Sequence, residues 1–288
     1  MIMDKINCYL LCNGQARAYV ARTTQMADKA RETHGLSHTA AAALGRTLTC
    51  AAIMGVQMKN DDDSLSVVFA GDGPLGKITV AAKNDGSVKG YVENPTLELM
   101  RRPDGKLNVG GAVGLGRMTI IKDLGLREPY VGTTELISGE IAEDFAYYFA
   151  VSEQQPCAVA LGVKLENDKV ISAGGVILQP LPGCSEEVLQ FLESSVPLIT
   201  DVSSLFEGNT ADEVGQILFY PVQHSLEGTF DVKYNCDCSR ERLEKLLITL
   251  GKDELQDMID KQGGAELTCH FCNKKYWFSA DDLRQLMQ

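Results

Sequence analysis

The stretch CDCSRERL, residues 236–243, sets two cysteines on either side of one aspartate, and CHFCN, residues 269–273, adds two more. The spacing is C-x-C, thirty residues, then C-x-x-C. In a reducing compartment this pattern reads as a zinc site rather than a disulfide framework. Zn²⁺ takes four tetrahedral ligands, and thiolates suit it. Cys236, Cys238, Cys269 and Cys272 would fill all four positions around one ion per chain. A filled shell leaves no place for an activated water, so the expected zinc is structural, not catalytic. The surrounding segment, 233–288, is under sixty residues long with few large apolar groups. Metal binding would supply the folding free energy that so small a core lacks.

Outward from this module, the chain has 288 residues, 44% of them hydrophobic and 23% charged, enough for a real core without disulfides. Its formal net charge is −12, which makes nucleic acid a poor expected partner. Residues 231–288 hold nine Lys and Arg against eleven Asp and Glu, which also disfavours a nucleic-acid-binding zinc ribbon. No signal-peptide pattern opens the sequence. The densest apolar run, TAAAALGRTLTCAAIMGVQM, is broken by Arg46 and three threonines, so no membrane span is expected. The cytosol is the expected compartment. Cys8, Cys12, Cys50 and Cys157 sit in apolar stretches and read as small buried hydrophobes, while Cys184 lies in a loop and reads as more exposed.

Residues 1–178 read as one α/β unit. INCYLLC and ARAYVART suit strands, and HTAAAALGRTLTCAAIMGVQMK suits a helix whose small residues permit close packing. SLSVVFAGDG, KITVAAK and VKGYVEN read as hairpin strands between Gly, Asp and Asn turns. GKITV at 76–80 and GRMTI at 116–120 share a faint pattern. Ile141, Phe145, Tyr148 and Phe149 fall on one helical face, and CAVALGVKL and KVISAGGVILQ read as strands. QPLPGCSEE marks a boundary. Beyond it, 179–232 reads as a helical linker: Val188, Leu189, Leu192 and Val196 form one stripe, and Thr210 with Glu213 a capping box ahead of Val214, Ile217 and Leu218. In 233–288, Ser239 caps a helix with Leu243, Leu246, Leu247 and Leu250 on its face, ended by Gly251. A second helix carries Leu255, Met258 and Ile259. AELTCHFCNKKYWFS is a hairpin with CHFC at its tip, and Ser279 with Asp282 opens a last helix. The predicted fold class is α+β: an α/β core with a mixed sheet and packed helices, a helical linker and a small zinc-binding domain.

Three motifs fail on inspection. GDGPLGKIT, 71–79, nearly spells a phosphate-binding loop, but Ile78 replaces the magnesium-binding Ser or Thr and a strand follows. Glu140, Glu143 and Asp144 read as dipole partners on a solvated helix start. His34 and His38 are separated by Gly35 and a cap position, a poor metal pair.

Zinc-bound thiolates are already in the form that oxidants attack. Oxidation would destroy the ligands and remove the module's folding energy. Each close pair could form a local disulfide, and a bridge across one intervening residue would be strained and readily reduced again. That chemistry permits a reversible switch.

CDCSRERLEKLLITLGKDEL with CHFCNKKYWF resembles the redox-regulated heat-shock chaperones of bacteria, the thirty-three-kilodalton holdases. VGLGRMTIIKDLG, EPYVGTTELISGEIAEDFAYYFAVSEQQPCAVALGV and AGGVILQPLPG resemble the same family's core domain. The resemblance covers nearly the whole chain. It implies an ATP-independent chaperone, not an enzyme, with a metastable linker. The reduced, zinc-bound state would be inactive. Oxidation would pair Cys236 with Cys238 and Cys269 with Cys272, release zinc and unfold the C-terminal region. The partners implied are unfolded client proteins and, when active, a second copy in a homodimer, with no nucleotide, nucleic acid or membrane. In the family the Cys269–Cys272 pair is the peroxide sensor and the C-x-C pair reports linker unfolding. The alternative is a thiol–disulfide oxidoreductase using Cys269 and Cys272, which would need the first cysteine at a helix N-terminus.

Overall fold

The computed structural model describes residues 2–97 and 101–287. The chain divides into two compact units, 1–235 and 236–288.

The first unit holds β1 (Lys5–Leu11), β2 (Ala16–Arg22), α1 (Thr24–His34), α2 (His38–Val56), β3 (Ser64–Gly71), β4 (Ile78–Lys83), β5 (Ser87–Val92) and α3 (Val109–Val113). It continues with β6 (Gly116–Asp123), β7 (Tyr130–Glu135), α4 (Ala142–Val151), β8 (Ala158–Glu166) and β9 (Lys169–Pro180). Then come α5 (Glu186–Ile199), α6 (Val202–Leu205), α7 (Ala211–Phe219), β10 (His224–Asp231) and β11 (Lys233–Tyr234). Two sheets result, in strand orders β10-β1-β2-β9-β8 and β11-β5-β4-β3-β6-β7. The five-stranded sheet is antiparallel throughout. The six-stranded sheet is mixed, through the parallel pairing of β11 with β5. The related segments GKITV and GRMTI enter β4 and β6, which flank β3 on its two sides.

Helix α2 packs against strands of both sheets, and this explains its composition. Ala40, Ala41, Ala42, Ala43, Ala51 and Ala52 are all buried. A Cβ on Gly45 would lie 2.8 Å from a Val163 methyl, and one on Gly55 2.7 Å from the Lys83 carbonyl. His38–Val56 is long and apolar enough to cross a bilayer, yet 94% of its most apolar window is buried inside this unit. A helix apolar all round is what a double-sided core requires.

The five-stranded sheet has a second buried face. Alternation along β1 and β2 sends Ile6, Tyr19 and Ala21 into the core around α2, and Tyr9, Leu11, Ala16, Ala18 and Val20 to the other side. There α5, α6 and α7, with the turns that follow them, cover the sheet with Val188, Leu192, Ile199, Val202, Phe206, Val214, Leu218 and Phe219. Asn7, fully buried, donates to Asp212 at 2.8 Å and accepts from Thr229 at 3.0 Å, tying α7 and β10 to β1.

Gly215 on α7 sits where a Cβ would overlap the Tyr9 hydroxyl. Alanine ordinarily favours a helix by about 1 kcal/mol over glycine. Overpacking reverses that here: Gly215→Ala is expected to lower stability by about 1–3 kcal/mol in urea unfolding. Adding Tyr9→Phe should recover part of the loss. A more stable Gly215→Ala protein would contradict the close approach.

Several sequence readings change. The sequence predicts a helical linker over 179–232, but the last residues of that segment form β10, an edge strand paired with β1 from Lys5↔Asp231 to Leu11↔His224. The register shifts between Cys8 and Tyr9, and most β10 side chains face solvent, so its sequence lacks a strand's apolar alternation. Val196, expected in the α5 stripe, is 42% exposed; Ser195 and Ile199 turn inward instead, following the 3.6-residue period from Val188 and Leu192. Ile217 on α7 likewise faces out. Helix α1 goes unread in the sequence; it has neither a side-chain cap nor acidic residues in its first turn.

Asp144 is not on a solvated face. It is fully buried and accepts from the amides of Ile137 at 2.8 Å and Ser138 at 3.2 Å, while burial raises its carboxyl above the ordinary value. Glu140 pairs with Arg46 at 2.9 Å. His34 lies 2.8 Å from the Tyr234 hydroxyl and His38 2.7 Å from Asp168, so the two histidines serve separate contacts. In GDGPLGKIT the Lys77 amide already donates to Glu93 at 3.0 Å, and β4 begins at Ile78, as a strand and not a phosphate-facing helix.

The second unit contains α8 (Arg240–Leu250), α9 (Lys252–Gln262), the hairpin β12 (Gly264–Thr268) and β13 (Lys275–Ser279), and α10 (Ala280–Leu286). Among the described residues its buried core comprises Leu247, Leu255, Ile259, Ala265, Tyr276, Phe278 and Leu283. Of the four leucines expected on the α8 face only Leu247 is fully buried; Leu246 and Leu250 are 59% and 51% exposed.

Candidate metal centre

Local chain chemistry brings the four cysteines of the second unit together. Ser239 caps α8 by accepting from the Arg242 amide, which ends the extended segment carrying Cys236 and Cys238. Arg240, one residue on, donates to the Trp277 carbonyl at 2.8 Å, pairs with Asp282 at 2.9 Å, and stacks 4.3 Å from the Phe278 ring centre. This contact fixes the start of α8 against β13. The capping box of Ser279 and Asp282 opens α10 immediately after β13.

At the hairpin tip, the Cys269 amide donates to the Lys274 carbonyl at 2.9 Å, and the Asn273 amide donates back to the Cys269 carbonyl at 2.8 Å. Asn273 takes the left-handed conformation that asparagine tolerates, φ +59°, and so turns Cys272 back toward Cys269.

The four Sγ atoms lie within 4.8 Å of one another. Cys236 Sγ is 3.7 Å from Cys269 Sγ, and Cys238 Sγ is 3.4 Å from Cys272 Sγ. A tetrahedron with the usual zinc–sulfur bond of about 2.3 Å has edges of about 3.8 Å. The donor set and its spacing therefore fit zinc.

The thiols are electrostatically unequal. Burial pushes the Cys236 thiol up, and the nearby sulfurs add to the rise. Burial also pushes Cys272 up. At Cys238 burial acts in the same direction, but hydrogen bonds from Tyr276 and the neighbouring thiols outweigh it and bring the group down to about 7. The Tyr276 hydroxyl lies 3.2 Å from Cys238 Sγ and donates to the Cys238 carbonyl at 3.1 Å. The sequence reads Tyr276 as a hairpin-strand residue and gives it no role. The available signal is its position in KYWFS, where alternation with Phe278 turns both inward.

The remaining cysteines belong to the first unit. Cys184 is half-buried at the edge of the core that α5, α6 and α7 cover. Cys50 is buried and its thiol held well above the usual value by burial. Burial, then Glu153, pushes Cys157 up to about 12, and burial raises Cys8 and Cys12. Thiols held protonated in this way are poor nucleophiles. Cys269 follows a strand and precedes a tight turn, so the C-x-x-C pair lacks the helix N-terminus that a thiol–disulfide oxidoreductase uses.

Comparison with known proteins agrees with this architecture. The family described as Hsp33 protein matches residues 4–279. The 33 kDa chaperonin of Acetivibrio thermocellus is 47% identical over 277 residues, covering 96% of this chain and 94% of that protein. The 33 kDa chaperonin of Clostridioides difficile strain 630 is 46% identical over 278 residues, covering 96% of each. The crystal structure of the 33 kDa chaperonin, a heat shock protein 33 homolog, from Thermotoga maritima superposes with a TM-score of 0.90 at 34% identity, covering 99% of this chain and 98% of that one. With full-length similarity in both sequence and fold, the chain belongs to the Hsp33 family of non-catalytic chaperones.

Proposed function

We propose that this protein is a redox-regulated, ATP-independent holdase of the cytoplasm. In the reduced state Cys236, Cys238, Cys269 and Cys272 hold one zinc ion per chain, and the protein is inactive. Bound zinc supplies the cross-link that holds the cysteine segment, the hairpin tip and the small core of the second unit in one fold. Oxidation joins Cys236 to Cys238 and Cys269 to Cys272. Four thiolates give up four electrons to two peroxides, and four protons complete four waters. The ligand set is then gone, and the zinc-binding domain, read from the sequence as 233–288 and beginning at Cys236 once β11 is counted with the first unit, loses its fold. The metastable linker, 179–232, loosens with it, and the protein binds unfolded clients as a homodimer. No nucleotide, nucleic acid or membrane takes part.

The observation that carries this reading is the convergence of four thiols within 4.8 Å beside a core of seven buried residues among those described. Such a unit is stable while the sulfurs are bridged by metal and unstable once they are paired with each other. Full-length membership of a chaperone family supports the holding activity itself.

The test is light scattering from a thermally unfolding client. The oxidised protein is expected to suppress aggregation without ATP, and the reduced zinc-loaded protein is not. Equal suppression by both forms would sink the redox control. Turnover in insulin reduction would instead favour an oxidoreductase built on Cys269 and Cys272.

A further inference from the structure

We propose that Tyr276 is a positioning residue that shields Cys238 from peroxide and thereby sets the order in which the two cysteine pairs oxidise. The inference rests on the zinc–thiolate chemistry proposed above and adds a determinant outside the four ligands.

The hydroxyl is placed by the protein and not by the sulfur. Tyr276 pairs with Leu267 across the β12–β13 hairpin, and its ring belongs to the small core with Phe278 and Leu283. Lys274 Nζ sits 4.9 Å from the ring centre. This leaves Oη 3.2 Å from Cys238 Sγ and 3.1 Å from the Cys238 carbonyl. Cys236 and Cys272 have backbone donors, the amides of Cys238 and Lys274. Cys238 has a side-chain donor in reach: the single Tyr276 hydroxyl proton lies between the Cys238 carbonyl and Sγ, and a thiolate at Sγ draws it from the carbonyl, a contact that substitution can remove without moving the main chain.

A cysteine thiolate attacks peroxide with an electron pair on sulfur. The sulfur–oxygen bond forms, the oxygen–oxygen bond breaks, and hydroxide leaves. A neighbouring thiolate then displaces a second hydroxide as the disulfide forms. Two electrons pass from sulfur to peroxide, and two solvent protons give two waters. An O–H donor on the attacking thiolate draws density from the pair that must move. Its loss makes sulfur a better nucleophile. A hydrogen bond to a charged group is worth about tenfold or more in an equilibrium. Roughly half of that, in logarithmic terms, reaches the rate of a thiolate reaction. Removing the hydroxyl should therefore speed Cys238 about threefold relative to Cys269.

The experiment uses the full chain, loaded with zinc and checked for one ion per chain. Peroxide is added, the reaction is stopped with an alkylating reagent, and free thiol at each of the four cysteines is followed by peptide mass spectrometry. Tyr276→Phe is expected to raise the Cys238-to-Cys269 rate ratio about threefold. Site-specific 3-fluorotyrosine at 276, a stronger donor that keeps the hydroxyl, is expected to lower it. Phe278→Leu loosens the core without touching sulfur and should change all four rates together. A ratio unmoved by both Tyr276 replacements overturns the proposal, as does a ratio moved equally by Phe278→Leu. Should Tyr276→Phe fail to load zinc, the fluorotyrosine result decides alone. The readout is thiol chemistry, so a protein that oxidises in this order yet holds no client would refute the holdase reading and not this one.

Discussion

Cys272→Ser is expected to leave residues 236–288 without a stable fold in reducing buffer at neutral pH. The buried core described for that unit is seven side chains, one of them Ala265, and two of the four leucines on the α8 face point to solvent. Domains of this size rarely gain more than about 3–5 kcal/mol from such a core. Structural zinc in comparably small modules contributes on the order of 10–16 kcal/mol in apparent terms. Removing one of four thiolates forfeits much of that, and the remainder does not hold the unit. Hydrogen exchange should show lost protection across α8, α9 and α10, with zinc content well below one per chain. Exchange protection retained in a zinc-free Cys272→Ser protein would mean that the core alone suffices and that the metal is dispensable for folding.

Leu192→Asp should have the second largest effect. Leu192 is 6% exposed and belongs with Val188 and Ile199 to the core on the outer face of the five-stranded sheet. The sheet side of that core is built by Tyr9 on β1, Ala18 on β2, and Val176 and Leu178 on β9. Truncating a buried leucine costs about 2–5 kcal/mol, and an unpaired buried carboxylate adds to the loss. The side chain can escape only if α5 leaves the sheet. Limited proteolysis should then cut within 186–199 much faster than in the parent. If the linker masks the client surface, the reduced, zinc-loaded variant should suppress client aggregation severalfold better than the parent. Val196→Asp is the control on the same helix, because Val196 already faces solvent and both readouts should stay near parent values. A Leu192→Asp protein with a freed helix and no gain in holding would place the client surface elsewhere.

These two predictions depend differently on what the sequence makes legible. The four-cysteine cluster is legible because each pair is local in the chain, C-x-C and C-x-x-C, and the two pairs meet where the start of α8 packs against β13. The caps at Thr210, Ser239 and Ser279 are legible for the same reason, since each is decided within four residues. Readings that depend on what lies opposite an element fare worse. Val196 and Leu246 are apolar and near the right period, yet face solvent because the helical period turns their neighbours Ser195 and Leu247 inward instead. The edge strand β10 pairs along one side only and keeps mostly exposed side chains, so it becomes visible only with its partner β1, more than two hundred residues away. Asp144 has the look of an ordinary helix-start acid until the Ile137 and Ser138 amides are seen donating to it. Tyr276 is hidden in the same way, because a hydroxyl aimed at a sulfur is a fact about two distant segments.

The central claim is that loss of the metal site and gain of holding activity are one event. It is tested most directly on a single sample of reduced, zinc-loaded protein, treated with peroxide under mild heating, with zinc release and suppression of client aggregation followed on the same time course. The expected result is that both rise together and both reverse when thiol reductant and zinc are restored. Zinc release without any holding activity would contradict the account and leave the four cysteines as a structural staple.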